Sequence, residues 1–235
     1  MREIVDCWND KADQWKNWVG KNGDKNRIFN SDPVLWQFVG DVQGKKVLDA
    51  GCGTGYLSLQ FSQKGATVVG VDLSDKMIDL ANAEAKESNQ AVKFAVDSCS
   101  ELLTVEDQSI DVVVSNYVLM DVPDFRGAVK AFYRVLKPNG KAVLVFSHPC
   151  FNQFAEGEMY FDEIKKAETW GPFQSDFIFF HRPLSEYWKT FVSAGFQVVQ
   201  FDEPVAKDPT VPGFKQEWLS TYRKRPWSVA FELRK

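Results

Sequence analysis

The sequence of 235 residues has no long apolar run, few cysteines and only two histidines. No segment approaches the ~18 uninterrupted apolar residues of a membrane helix, and the acidic N-terminal residues lack the apolar core of a secretory signal. The four cysteines, Cys7, Cys52, Cys99 and Cys150, are scattered and form no Cys-x-x-Cys pair. We therefore expect a cytoplasmic chain with reduced thiols, and no membrane span, disulfide scaffold or metal site.

The sequence also lacks an excess of positive charge. With a formal net charge of −4, the surface as a whole repels a phosphate backbone, so we expect no nucleic-acid partner. The most basic segment, Arg223-Lys-Arg225, is explained by a solvated loop. A hydrophobic content of 44% is sufficient for a large core, and at this length one α/β domain with an insertion is the simplest expectation.

The most diagnostic stretch runs from Val47 to Asp72. It predicts a short apolar strand, the loop Gly51-Cys-Gly-Thr-Gly55, an amphipathic helix and a second apolar strand that ends in a carboxylate. Glycine can take positive φ and lie flat against a ligand, and the carboxylate of Asp72 can accept hydrogen bonds from a ribose diol. A dinucleotide-binding loop needs a glycine at its sixth position, where this sequence has Tyr56.

Asp49, Gly51, Gly53, Gly55 and Asp72 together resemble the first two motifs of the class I S-adenosylmethionine-dependent methyltransferases. The segment from Phe132 to Pro138, with Gly140, is similar to the approach to strand five in their small-molecule, type 11-like branch. The resemblance implies S-adenosylmethionine as cofactor and S-adenosylhomocysteine as product. A dinucleotide oxidoreductase is the competing interpretation of the loop.

Strand and helix patterns alternate from Lys46 to Phe146, as in a parallel sheet with right-handed crossovers. We predict an α/β fold with a seven-stranded, mostly parallel, doubly wound Rossmann-like sheet, whose last strand is antiparallel and follows the proline-rich segment from Pro204 to Pro226. A helical lid (1–40) precedes the cofactor-binding core (41–147), and an aromatic insertion without sustained period (148–183) precedes the end of the sheet (184–235). These parts form a single domain.

Ligands of an open α/β sheet bind outside the carboxyl ends of its strands. Positions there, with the residues implied by the resemblance, give the cofactor-binding candidates Trp15, Arg27, Asp49, Gly51, Cys52, Gly53, Thr54, Gly55, Asp72, Leu73, Met77, Asp97, Ser98, Cys99, Asn116 and Tyr117. Each carboxylate after strands two and three has an alternative role as a helix cap, although Ser74 already fills that role beside Asp72. Core packing is the alternative for Leu73 and Met77.

The N-terminal tryptophans lie at helical spacing, which predicts either a helix packed on the domain or a lid over the ligand. Trp15 would then cover the cofactor. Arg27 would meet the cofactor carboxylate, because a guanidinium matches a carboxylate bidentately.

His148, His181 and Tyr160 are the catalytic candidates, since the two histidines border the predicted mouth and imidazole titrates near neutral pH. A structural role is the alternative for each histidine, and Asp121 is a further candidate base. Nine aromatic residues of the insertion should wall an acceptor pocket, or else form a dimer interface.

We therefore expect methyl transfer to an O, N or C nucleophile of a small, partly apolar metabolite, by a monomer or a homodimer. Methylation of tRNA or a protein is the second hypothesis, and cofactor binding without catalysis is the third.

Overall fold

The computed structural model describes residues 1–205 and 223–235. The helices are α1 (Arg2–Val19), α2 (Asp32–Val39), α3 (Tyr56–Gln63), α4 (Asp75–Glu87), α5 (Phe125–Val135) and α6 (Leu184–Ser193). The strands are β1 (Lys46–Ala50), β2 (Thr67–Asp72), β3 (Lys93–Val96), β4 (Ile110–Asn116), β5 (Leu136–Ser147), β6 (Ile164–Glu168), β7 (Phe177–His181), β8 (Gln197–Asp202) and β9 (Ser228–Arg234).

Seven strands form one sheet in the order β3-β2-β1-β4-β5-β9-β8. The pairs among β1 to β5 are parallel, whereas β9 lies between β5 and β8 and is antiparallel to both. The predicted α/β sheet with an antiparallel last strand is confirmed. Its order reverses direction on either side of β1, so the loops after β1 and β4 diverge and leave a crevice at their carboxyl ends.

Helices bury both faces of the sheet. Val113 of β4 packs into the core cluster that contains Phe132 of α5, whereas its neighbours Val112 and Val114 pack into the cluster that contains Phe61 of α3. Successive side chains of a strand point to opposite faces, so an unbroken valine run fits a central strand covered on both sides.

Two local features differ from what the sequence predicts. The polar, glycine-containing segment 21–32 predicts a loop, but Arg27–Ser31 forms a π-helical turn that leads directly into α2. No separate turn follows α5, because the chain passes at Leu136 straight into β5, with a register shift beside Ile110. Most of the proline-rich segment from Pro204 to Pro226 lies outside the described residues.

The aromatic insertion was expected to have no regular structure, yet it contains the antiparallel hairpin β6-β7. Four consecutive bulky residues, Phe177 to Phe180, obscure the alternation that would mark a strand. The hairpin is a sheet of its own, and β7 contacts α1 and the 3₁₀ turn Leu119–Asp121 that follows β4. Across the described ranges, none of the helices has the length and apolar character needed to cross a membrane.

Candidate functional site

A cavity opens at the carboxyl ends of β1, β2, β3 and β4, beneath α1. It holds about 830 Å³ of space, including its open mouth. Its walls are formed by Met1, Ile4, Trp8, Trp15, Arg27, Gly51, Cys52, Gly53, Thr54, Tyr56, Asp72, Leu73, Met77, Ser98, Cys99, Ser100, Asn116, Tyr117, Val118, Asp121, Val122 and Pro123. Thirteen of the sixteen predicted cofactor-binding residues are therefore brought together, and Asp49, Gly55 and Asp97 are not on the wall.

The glycine loop after β1 lies close to the loop after β4. Gly51 has φ +80°, and a Cβ at this position would lie 2.3 Å from a methyl carbon of Val118. Only glycine fits here, because both the space and the backbone conformation exclude a side chain. The backbone at Gly51 and Gly53 can thus approach a ligand directly, as a narrow crevice requires.

Asp72 connects the glycine loop after β1 to the residue that precedes α4. Its Oδ2 accepts a hydrogen bond from the backbone N–H of Gly53, and its Oδ1 accepts one from the N–H of Ser74, both at 2.9 Å. Burial raises the pKa of Asp72, and these backbone donors oppose that effect. The N-cap of α4 is Ser74, whose Oγ accepts from the N–H of Met77. Asp72 is thus free of a capping role, and its remaining lone pairs can accept from a ligand in the cavity.

Asp49 lies behind the glycine loop. Its carboxylate is buried and accepts a hydrogen bond of 2.5 Å from the Ser58 hydroxyl of α3. Burial raises the pKa of Asp49 to about 6. Asp49 therefore joins β1 to α3, and Gly55 begins α3 at φ +86°. Both residues shape the loop from behind the cavity wall.

Asp97 does not cap a helix, because the chain between β3 and β4 forms only turns, and its carboxylate binds those turns instead. Its Oδ2 accepts from the N–H and the hydroxyl of Thr104, at 2.7 and 2.6 Å, and its Oδ1 accepts from the N–H of Ser98. These bonds fix the loop after β3, which presents Ser98 and Cys99 to the cavity. Burial raises the pKa of the Cys99 thiol to well above its usual value, so this thiol stays protonated.

Arg27 lies inside a buried polar cluster. It forms an ion pair with Asp24, and its guanidinium lies 5.0 Å from the centroid of the Tyr117 ring. Within the described chain, Arg27 Nε and Asn116 Oδ1 are buried without a hydrogen-bond partner. One is a donor and the other an acceptor, so they match the carboxylate and the ammonium group of an amino acid.

Helix α1 covers the cavity through the side chains of Ile4, Trp8 and Trp15. Trp8 and Trp15 also pack against Phe177 of the hairpin, at ring-centroid distances of 5.5 and 6.2 Å. Asn9 donates to the carboxylate of Asp75 and accepts from the Ser74 hydroxyl, which ties the helix to α4. The helix thus rests on the insertion on one side and on α4 on the other.

The insertion itself does not reach the cavity. Its rings at Trp170, Phe173 and Phe177 stack on one another and on the tryptophans of α1, with Trp170 and Phe177 at 4.6 Å. The expectation that the aromatic residues wall the cavity themselves is therefore not met. These rings support α1, the helix that covers the cavity. Their large apolar area is buried against the tryptophans of α1, which holds the helix in place.

The three catalytic candidates also lie away from the cavity. His181 is fully buried, with its Nδ1 2.8 Å from Asn152 Nδ2 and its Nε2 2.8 Å from the Tyr160 carbonyl oxygen. The Tyr160 hydroxyl accepts from the N–H of Leu184. His148 accepts through Nδ1 from the N–H of Cys150, while its Nε2 lies 2.9 Å from Glu203 Oε1.

Burial lowers the pKa of both His148 and His181. Because their ring nitrogens are engaged by other parts of the fold, the structure favours the structural alternative for both. The same holds for Tyr160, whose hydroxyl fixes the start of α6. In the parts of the chain that the structure describes, no cluster of three or more His, Cys, Asp or Glu residues is placed to hold a metal ion.

Nine residues of the cavity wall were not among the cofactor-binding and catalytic candidates, and of these the sequence indicated a chemical role only for Asp121, as a further candidate base. They are Met1, Ile4, Trp8, Tyr56, Ser100, Val118, Asp121, Val122 and Pro123. Four of these follow β4 directly, and the rule that ligands bind beyond strand ends would have found them had it been extended past Tyr117. Met1 and Ile4 give no such signal, because only the docking of α1 brings them to the site.

Comparison with known proteins agrees with this geometry. Residues 48–144 match the family model of the methyltransferase domain. The fold is similar to that of an S-adenosylmethionine-dependent methyltransferase from Mesorhizobium loti, with a TM-score of 0.69 and 21% identity over 86% of this chain and 96% of that one. Together with the sheet order, these findings show the fold of the class I S-adenosylmethionine-dependent methyltransferases, whose cofactor is S-adenosylmethionine, with a methyltransferase domain matched over residues 48–144.

Two curated relatives differ in how much of the chain they match. A ubiquinone biosynthesis O-methyltransferase from Idiomarina loihiensis is 35% identical over 128 residues, which are 53% of each chain. An uncharacterized protein from Haemophilus influenzae is 26% identical over 196 residues, 75% of this chain and 76% of its own. The chain thus matches about half the length of the ubiquinone enzyme.

Proposed function

We propose that the protein transfers the methyl group of S-adenosylmethionine to an O, N or C nucleophile of a small, partly apolar metabolite. The observation that carries this proposal is the cavity itself. One side presents Asp72, Arg27 and the glycine loop, which suit the cofactor, and the side after β4 presents Val118, Val122 and Pro123 around the single carboxylate of Asp121. Ligand pockets for small molecules combine an apolar lining with a few polar groups in this way.

The roles of the cofactor-side residues follow from their positions. The backbone at Gly51 and Gly53 would contact the methionine part, whose carboxylate Arg27 would meet. Asp72 would accept from the ribose hydroxyls, at roughly 1.5–3 kcal/mol per charge-assisted hydrogen bond. Leu73, Met77, Ser98 and Cys99 would surround the adenine, while Asn116 and Tyr117 would lie near the methionine end.

When bound, S-adenosylmethionine supplies an electrophilic methyl group on a sulfonium centre. The task of the protein is then to align the acceptor with that group, exclude water and receive a proton where the acceptor loses one. Trp8 and Trp15 of α1 would exclude water. We propose the same division of the domain as the sequence predicts: a lid (1–40), a core (41–147), a substrate-side insertion (148–183) and a sheet-completing part (184–235). In it, the insertion supports the lid and does not line the cavity.

The test combines binding and transfer. Calorimetry with S-adenosylhomocysteine should show binding, which Asp72→Ala should weaken at least tenfold and Asp79→Ala, an exposed change on α4, should leave unaltered. Labelled S-adenosylmethionine incubated with a fractionated metabolite extract should then label a small molecule. Label on tRNA or on protein would favour that alternative class of acceptor, and binding without any transfer would indicate a non-catalytic binder.

A further inference from the structure

Asp121 is the carboxylate on the cavity wall that the cofactor roles leave unused. It ends the 3₁₀ turn Leu119–Asp121 that follows β4, and it faces the cavity between Val118 and the pair Val122 and Pro123. In the described part of the chain no hydrogen-bond donor reaches its side chain, whereas both oxygens of Asp72 accept backbone N–H groups. Asp121 is half-buried, and a carboxylate that faces a cavity without an internal partner is available to bind a ligand there.

We propose that Asp121 takes the proton of the methyl acceptor, so that the acceptor presents an O–H or N–H nucleophile beside it. This inference rests on the proposed function and narrows its acceptor class. In the step, the O–H or N–H bond breaks and its proton passes to the Asp121 carboxylate. The oxygen or nitrogen forms a bond to the methyl carbon, and the electron pair of the broken carbon–sulfur bond stays on sulfur.

The surroundings of Asp121 suit a base. Burial raises its pKa well above the usual range, and the negative charge of Asp72 acts in the same direction, while the cations of Arg27 and Arg182 oppose both. A carboxylate with an ordinary pKa is too weak a base to accept a proton from an alcohol or an ammonium group near neutral pH. Raising that pKa toward the working pH increases its basicity while it is ionised.

Arg182 holds the loop that carries Asp121. Its side chain is almost fully buried, and it donates to the carbonyl oxygens of Val122 and Pro123, both at 3.0 Å, and of Leu119 at 3.4 Å. Its Nε donates to Glu163 Oε1 at 2.6 Å. Arg182 directly follows β7, so the insertion fixes the position of the proposed base without lining the cavity. We assign it the role of a positioning residue.

The first experiment compares Asp121→Asn and Asp121→Glu with the native protein. The readouts are transfer of labelled methyl to the fractionated extract, the Kd of S-adenosylhomocysteine and the atom methylated in the product. We expect Asp121→Asn to lose at least 100-fold in rate, in the range of general-base catalysis, with the Kd changed less than threefold. Asp121→Glu should restore part of the rate, and the product should be an O-methyl or N-methyl compound.

A second readout is independent of turnover. The carboxyl carbons of the ligand-free protein, observed by NMR with labelled aspartate, should include one group that titrates above the usual range and is missing in Asp121→Asn. The rate of the native protein should rise with pH through the same midpoint, because the base must be ionised. Asp121→Asn should lack that rise.

The outcomes separate the two proposals. If the native protein labels a small molecule and Asp121→Asn does so at the same rate, or if the product is a C-methyl compound, the role of Asp121 is overturned and the methyltransferase proposal stands. If the native protein transfers no label, both are overturned. Should Asp121→Asn not fold, Asp121→Glu takes its place: the aspartate signal that titrates above the usual range should be missing from it and its rate should fall below the native rate, and a native rate or an unchanged set of aspartate signals would overturn the role of Asp121.

Two glutamates provide a matched pair of variants that tests the positioning role of Arg182. Glu163 and Glu186 both lie 3.2 Å from Arg126 Nη2, but only Glu163 also contacts Arg182. Glu163→Gln should lower the rate several-fold at unchanged affinity for S-adenosylhomocysteine. It should also move the pH midpoint of the rate upward, because a looser Arg182 stabilises the ionised Asp121 less. Glu186→Gln should do neither, and equal effects of the two variants would overturn the assignment.

Discussion

The guanidinium of Arg27 lies 5.1 Å from the centroid of the Trp15 ring. The indole nitrogen of Trp15 is 3.6 Å from the position that a Cβ of Gly53 would occupy. Trp15 therefore lies between the buried cation and the glycine loop, and the docking of α1 completes the end of the cavity that suits an amino-acid group. The attraction between a cation and an aromatic face is stronger where water is excluded. The Trp15 ring and the Arg27 guanidinium therefore stabilise each other's positions.

Replacing Arg27 should reveal which part of the cofactor it meets. Arg27→Lys keeps the charge but loses the planar fork, so we expect the affinity for S-adenosylhomocysteine to fall roughly tenfold, about 1.4 kcal/mol. The affinity for 5′-methylthioadenosine, which lacks the amino-acid end, should not change. Calorimetry with both ligands measures this, with the exposed Arg126→Lys as control. Equal weakening of both ligands would show that Arg27 acts only on the fold.

The covering role of α1 can be separated from its packing role with two tryptophans. Trp15 and Trp18 both contact Trp170 and Phe173, but only Trp15 lines the cavity. Trp15→Ala should raise the dissociation rate of S-adenosylhomocysteine roughly tenfold, since changes in affinity within one site mostly affect dissociation. Trp18→Ala should leave it unaltered. Stopped-flow displacement gives both rates, and equal rates in the two variants would contradict a covering role for Trp15.

The pKa of Asp49 predicts how stability depends on pH. The folded state holds this proton up to about pH 6, whereas the unfolded chain releases it near 3.8, so the associated stability is present at low pH and lost as pH rises between these values. At about 1.4 kcal/mol per pKa unit, the loss is about 3 kcal/mol. Asp49→Asn keeps an acceptor for Ser58 and should remove this loss.

Denaturant unfolding at several pH values measures the effect as the difference between the native protein and the variant. Asp32 has its pKa raised to about 6 by burial as well and serves as an internal reference that remains in the variant. A difference that stays constant from pH 4 to pH 7 would mean that Asp49 is ionised in the folded protein throughout.

His181 should matter for stability and not for turnover. His181→Ala removes the contacts with Asn152 and with the Tyr160 carbonyl, so we expect the free energy of unfolding to fall by about 1–3 kcal/mol. The methyl transfer rate per folded molecule should remain within twofold of the native rate. Thermal unfolding and the labelled transfer assay measure the two quantities. A folded variant that has lost more than tenfold in rate would restore the acid–base role of this histidine.

Several features of the site are determined by short stretches of sequence. Gly51, Gly53 and Gly55 all have positive φ, as their spacing after an apolar strand predicts, and Ser74 caps α4 in place of Asp72. Such features depend on backbone conformation and on hydrogen bonds between residues a few positions apart. The parallel pairing of the first five strands follows for a similar reason, since three of their four connections contain a helix, α3, α4 or α5, and such crossovers are right-handed.

Other features were decided only by contacts between distant segments. Asp97 and Asp121 each follow a strand, and nothing local shows that one is satisfied by Thr104 while the other faces the cavity. The histidines border the insertion in sequence, but the ring of His181 lies against Asn152 and the Tyr160 carbonyl, and the ring of His148 lies against Glu203. The insertion itself packs through β7 on α1, which lies more than 150 positions earlier. Burial of aromatic area drives this association without a sequence period, so only the tertiary structure determines which side chains remain free for a ligand.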